Sequence, residues 1–373
     1  MFCPYCGNQT GEGDAFCQAC GGDLRVTRAA AAPAQSPQQG GIRWGRLITL
    51  SMLAGFVVGL AVIGMRGVYR WTQGPSSEPA VSASQPEPIA ASPAAEPTDG
   101  PFLYPVLIGD YWGYIDEGGQ LVIEPHYVGA QPFHDGRALF MNDDMTKVGY
   151  IDESGTTVIE PRFDVAGDFS DGLAWAMEDD MAGFIDPSGQ WVIEPTFFSV
   201  DSFGEGLAPA SKDGVLWGYV DDSGQWVIEP SYDYAIPFSE GYAAVVPKGS
   251  GYFAYIDTSG EVVIPAQYVS ATQFSEGYAA VASDYLAGYI DTDGEMVIEE
   301  QFEAAHEFSG GLAGVVTQAG GGFIDTTGEW VIQPQFEDVT AFDGDLAMVI
   351  DENGSIGYID RSGVLVWQPG AGE

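Results

Sequence analysis

From residue 101 onward, short runs of aromatic and β-branched residues alternate with compact polar turns. The clearest instance reads Trp217-Gly218-Tyr219-Val220, then Asp221-Asp222-Ser223-Gly224, then Gln225-Trp226-Val227-Ile228-Glu229-Pro230. Two strand-like runs around a polar turn that closes on Gly predict a β-hairpin. Pro230 has no N–H to donate, so the second strand is expected to end there. The same hairpin recurs at Gly113, Gly149, Gly183, Gly218, Gly288, Gly322 and Gly357, with Ala254 in the glycine place of a degenerate fifth copy. Successive copies lie 36, 34, 35, 36, 34, 34 and 35 residues apart. A period this constant identifies a repeat array.

A further apolar run precedes each hairpin, as in Gly241-Tyr242-Ala243-Ala244-Val245-Val246, which gives every unit three recognisable strands. Between units runs a variable link ending in Phe-Ser-Glu-Gly or a relative of it. Its Phe recurs at Phe133, Phe169, Phe203, Phe238, Phe274, Phe308 and Phe342 and reads as a core anchor. The link itself suits either a fourth short strand or an irregular turn. The predicted architecture is all-β: about eight three-strand units, stacked as an open or curved array, with a closed β-propeller as the alternative. A propeller usually closes by sharing one blade between the termini. The run Phe102 to Asp110 only supplies the first strand of unit one, so no strand is left for closure and the open array is expected.

The Trp-Gly-Tyr-Ile-Asp at Trp112, the Trp-Gly-Tyr-Val-Asp at Trp217, the Val-Ile-Glu-Pro endings and the Phe-Ser-Glu-Gly links resemble the WG repeat family of bacterial proteins over residues 103–369. The resemblance implies a β-rich repeat serving interaction. The Trp before Gly stands only at Trp112 and Trp217; Val148, Ala182, Ala287, Gly321 and Ile356 replace it elsewhere, which argues against a tryptophan ladder.

The first 100 residues are of another kind. Leu47 to Met65 is 19 residues without a charge, a helix of about 28 Å, close to the apolar thickness of a bilayer. A transmembrane helix over 46–66 is therefore expected, with Trp44, Tyr69 and Trp71 at its interfaces. Arg25, Arg28, Arg43 and Arg46 precede it and Arg66 and Arg70 follow, a bias that places the N-terminus in the cytoplasm and the repeats outside the cell membrane. Gly55 and Gly59 form a GxxxG spacing through which two such helices would pair as a weak homodimer. Residues 25–45 read as a flexible tether. Residues 74–100, with six prolines, read as a stalk reaching at most about 84 Å.

All four cysteines lie in the first 24 residues, as Cys3-x-x-Cys6, ten residues, and Cys17-x-x-Cys20. Two such pairs present four thiolates to one tetrahedral ion, and so small a piece has no core without metal. Thiol exchange is the competing use of a Cys-x-x-Cys pair. The segment resembles the bacterial zinc-ribbon family, which implies a structural zinc on Cys3, Cys6, Cys17 and Cys20, with domain bounds 1–24.

Charge narrows the function. The chain carries 54 acids and 12 bases, and 47 of those acids but only six of the bases lie in the 101–373 repeat domain. Such a field repels nucleic acid and favours basic partners. The repeated Asp116, Asp152, Asp186, Asp221, Asp257, Asp291, Asp325 and Asp360 each stand three residues before the turn Gly, where a carboxylate accepts backbone N–H bonds. Eight equivalent carboxylates offer no division into acid and base. His126, His134 and His306 have no catalytic partner in sequence, and acidic runs such as Glu178-Asp179-Asp180 complete no calcium loop. Trp191, Trp226 and Trp330 would serve as sugar platforms in a glycan-acting envelope enzyme, but Leu121, Thr157, Val262, Met296 and Leu365 at the equivalent places favour packing between units. The expected function is noncatalytic: a membrane-anchored scaffold whose acidic repeats bind proteins or envelope polymers. A transmembrane sensor coupling the repeats to a cytoplasmic partner of the zinc ribbon is the alternative.

Overall fold

The computed structural model describes residues 102–370, and they contain strands and turns but no helix. The zinc ribbon, tether, apolar helix and stalk expected over residues 1–100 lie outside the described residues. Among the described residues no helix is long and apolar enough to cross a membrane.

The chain forms eight small antiparallel units in order. Sheet one has three strands, Tyr104–Ile108, Tyr111–Ile115 and Leu121–Tyr127. Sheet two has four, Ala130–His134, Arg137–Met141, Val148–Asp152 and Thr157–Phe163, and the later sheets repeat this meander. Sheet three covers residues 165–197, sheet six 270–302, sheet seven 304–336 and sheet eight 338–367. Sheets four and five, between Ser199 and Tyr268, are fused by one strand, Trp226–Ala235. Its first half pairs with Trp217–Val220 and its second half with Tyr242–Pro247.

Three expectations change. The link is a strand, the first of each sheet from two to eight, so the unit has four strands. The proline does not end the last strand, which runs on to the next aromatic residue, as in Leu121–Tyr127 across Pro125. The register shows how: Tyr219 faces Ile228 and Trp217 faces Tyr232, so the segment Glu229-Pro230-Ser231 bulges out of the ladder, where a missing N–H is harmless. That bulge brings the Ile123 carbonyl oxygen within 2.5 Å of where a Cβ on Gly113 would sit, which is why the hairpin motif needs glycine there.

The third correction concerns the open array: the first sheet packs against the eighth. At an ordinary junction the hairpin Tyr or Phe meets the link Phe of the next sheet, as in Tyr150 with Phe169 at 4.9 Å, Tyr219 with Phe238 at 4.7 Å and Phe323 with Phe342 at 4.7 Å. Each such pair adds about 0.5–1.5 kcal/mol to the burial of its rings. The Tyr hydroxyl then donates to the next link's carbonyl, Tyr150 to Gly167 at 2.7 Å and Tyr255 to Thr272 at 2.8 Å. At the ends, Tyr358 of sheet eight meets Tyr104 of sheet one at 5.5 Å and donates to the Pro105 carbonyl at 2.9 Å. Tyr104, Val106, Ile115, Leu346 and Tyr358 share one buried cluster. The array is therefore a closed ring. Counted from its hairpin, each repeat ends on the first two strands of the following sheet. The last hairpin at the C-terminus and the strand Tyr104–Ile108 at the N-terminus are thus pieces of one split repeat.

Candidate functional site

The hairpin-turn aspartates form the first group of candidate residues. In all eight copies one carboxylate oxygen accepts N–H bonds from the residues two and four positions on, as Asp221 does from Ser223 at 3.0 Å and Gln225 at 2.9 Å. The hydroxyls of Ser154, Ser188 and Thr327 hold the carboxyls of Asp152, Asp186 and Asp325 below the usual range. The turn glycines take φ between +77° and +84°. These carboxylates are consumed by the backbone, as the spacing implied.

A second set of acids staples neighbouring sheets. Between the first and second strands Asp135, Asp171, Glu205, Glu240 and Glu276 all adopt positive φ. The carboxylate of each accepts a backbone N–H from the next sheet's turn: Asp171 from Gly206 at 2.9 Å, Glu240 from Gly277 at 2.8 Å, Glu276 from Gly311 at 2.8 Å. In sheets seven and eight that place holds Gly310 and Gly344. Arg361 bridges them instead, donating to the carbonyls of Ser309 at 2.9 Å and Gly344 at 2.6 Å while lying over the Phe342 ring.

The third group converges on the ring interior, where first strands of neighbouring sheets lie side by side. Sheet one has no first strand, and across that gap His134 of sheet two lies within electrostatic reach of acids from both sides. Its Nε2 is 3.7 Å from Asp168 of sheet three. Burial pushes the Asp168 carboxyl up, with His134 opposing and Asp343 of sheet eight adding to the rise. Burial likewise raises Asp343, with His134 opposing. Asp168 keeps 31% of its side chain open to solvent, while its Oδ1 is buried with no hydrogen-bond donor. Burial also raises Asp201, just after the first strand of sheet four, and Glu307 on the first strand of sheet seven, and lowers His306. The His134, Asp168 and Asp343 cluster joins residues distant in sequence, and only ring closure brings them together.

Other candidates fall elsewhere. Cys3, Cys6, Cys17 and Cys20 lie outside the described residues, and among those described no group of three or more His, Cys, Asp or Glu is placed to hold a metal. Trp191, Trp226 and Trp330 stand edge-on to Phe163, Phe197 and Phe302 of the preceding sheet, at 5.5, 5.9 and 6.3 Å, and pack between sheets. His126 donates through Nδ1 to the Glu124 carbonyl at 2.7 Å. A cleft of about 330 Å³ opens between sheets six and seven, with Ala280, Ala282, Asp284, Tyr285 and Glu303 in its wall.

A closed ring of antiparallel four-strand repeats defines a β-propeller-like repeat protein. Seven segments, 112–145, 149–181, 183–215, 217–252, 253–285, 288–318 and 322–354, match the WG containing repeat, and the chain belongs to that family. No curated protein matches it. Among solved structures, dihydro-heme d1 dehydrogenase NirN in complex with DHE is similar at 18% identity, covering 80% of this chain and 81% of that one, with a TM-score of 0.50. A catalytically inactive virginiamycin B lyase from Staphylococcus aureus with quinupristin is 16% identical over 69% of this chain and 98% of its own, with a TM-score of 0.42. Hsv2 of Kluyveromyces lactis is 9% identical over 62% and 92%, with a TM-score of 0.41. Likeness at this level concerns the fold alone.

Proposed function

We propose that the protein is a noncatalytic binding scaffold, anchored by its apolar segment, whose acidic ring lies outside the cell membrane and captures a basic partner. The observation that carries this is the division of labour among the carboxylates. The turn and staple acids are spent on backbone N–H groups, and the rest leave an anionic surface: residues 249–360 hold 20 acids, 15 of them in neither group, and neither Lys nor Arg. A field of one sign steers oppositely charged partners and excludes polyanions. Four thiols at Cys3, Cys6, Cys17 and Cys20 are a donor set suited to one structural zinc on the cytoplasmic side. Reconstituted in vesicles, the full-length chain should bind polylysine in a salt-dependent manner and ignore polyglutamate. Equal binding of both polymers, or of neither, would end the proposal.

A further inference from the structure

The junctions between sheets two and three and between sheets six and seven have the same plan and differ in one respect. At the first, Lys147, just before the third strand of sheet two, reaches Asp164, just before the first strand of sheet three, at 2.6 Å. Asp164 occupies its place by donating its own N–H to the Met177 carbonyl. At the second, Glu303 occupies the matching place, with its N–H on the Val316 carbonyl. The position of Lys147 is taken by Leu286, which is 41% exposed, and among the described residues no cation pairs with Glu303.

The space differs in the same sense. Between sheets two and three Leu139 is buried with Val148 packed against its cluster, and Met141 and Val165 stand beside them as large side chains. Ala280, Ala282, Ala287 and Ala304 stand at the corresponding register positions of sheets six and seven. These truncations leave the cleft of about 330 Å³, floored by alanines. Its rim carries Glu303, Asp284 and Tyr285, whose ring is 88% exposed. An apolar trough leading to a carboxylate, beside an exposed aromatic face, matches a long methylene stem ending in an ammonium.

We propose that this cleft is a docking site for a lysine side chain of a basic partner protein, taking from outside the cation that Lys147 supplies internally at the junction of sheets two and three. The site rests on the reading of the ring as a binder of basic partners and specifies where one such contact is made. Lysine suits it better than arginine, because a flexible stem with a compact charge fits an alanine-floored trough, whereas a planar guanidinium asks for a bidentate partner.

The test is calorimetric titration of the full-length chain with an acetylated, amidated peptide of alternating Gly and Lys. Wild type should bind it. Glu303→Gln should weaken binding about tenfold, the order expected for loss of one partner of a close charge pair. Leu286→Lys, which installs the internal cation, should weaken it at least as much, while Leu286→Met leaves it unchanged. An unaltered thermal midpoint for Leu286→Lys would separate occupation of the cleft from misfolding. If wild type binds and neither charge variant weakens binding, the cleft is not the site, although the acidic ring still binds cations. Should wild type not bind at all, the wider reading falls together with the cleft. Spermidine competing as well as the peptide would overturn a protein partner in favour of a free polyamine.

Discussion

An ordinary junction of this ring and its closing junction solve one problem with different means. Between successive sheets the same devices recur: hairpin aromatic on link Phe, hydroxyl on link carbonyl, turn carboxylate on the next turn's N–H. At the closing junction sheet one lacks its first strand, so there is no link to receive them. Tyr104 replaces the link Phe, accepts the Asp345 N–H at 3.2 Å and donates to the Asp343 carbonyl at 2.9 Å. One junction earlier, between sheets seven and eight, Arg361 stands in for the carboxylate staple. Repetition stabilises the body of the ring, while a few unrepeated side chains close it and, in doing so, create the His134, Asp168 and Asp343 cluster. Closure is therefore where single substitutions act most strongly.

The largest effect should follow Tyr104→Ala. Removing a buried aromatic side chain costs roughly 3–5 kcal/mol, and here two hydrogen bonds go with it. Protection against hydrogen exchange should fall first in sheets one and eight, and uniform loss around the ring would erase the distinction between the two kinds of junction. Gly224→Val comes next, at about 1–3 kcal/mol for a branched residue held at positive φ. Its Cβ would also sit 3.0 Å from the Ile193 methyl of sheet three, so the loosening should centre on sheets three and four. Unchanged exchange over Trp217 to Pro230 would show that the turn tolerates the side chain. Arg361→Ala should cost about 1–2 kcal/mol for a charged donor lost from several carbonyls. Its signature is increased exchange near Gly310 and Gly344 with sheets three to five unaffected.

The smallest effect separates the two classes of carboxylate by pH. Asp168, Asp201 and Asp343 are raised above 3.8 in the folded ring, so the folded state takes up protons first, and their burial penalty is relieved as pH falls toward 3.8. Asp152, Asp186 and Asp325 are lowered below 3.8. Their contribution is present above that value and is lost as pH falls through their folded pKa values. The melting temperature should therefore rise slightly from neutral pH into mild acid and fall below about pH 3.8. Asp168→Asn should flatten the first limb and leave the second. A profile falling monotonically from pH 7 would contradict the assignment.

Much of the molecule was legible from its residues. Local chemistry shows in sequence, so the hairpins, the Asp221-type turns with Gly224 at positive φ, the anchoring Phe residues and the packing Trp residues are where their spacing put them. The fourth strand was undecided because a link such as Asp201 to Phe203 is too short for a period to register. Pro125 misled because a bulge two residues deep removes the need for its N–H, and nothing in one strand announces the register of its partner. Closure was missed for a topological reason. Tyr104–Ile108 was counted as the first strand of a complete unit, whereas it is the second strand of a sheet whose first is absent. The signal available was the aromatic Tyr104 where other second strands carry Ala138, Ala174 or Ala208. The site at His134 could not be read, since its members lie on three sheets that only the closed ring unites.

Closure is tested most directly by the distance between the two end sheets. With the native cysteines replaced, spin labels at Glu117→Cys in sheet one and Val364→Cys in sheet eight, both exposed turn positions, report it by pulsed electron resonance. The closed ring predicts a single population below about 20 Å, two neighbouring sheets of about 10 Å spacing plus the label arms. An open stack of eight sheets at that spacing would hold the labels near 70 Å, and a dominant distance in that range would contradict the ring.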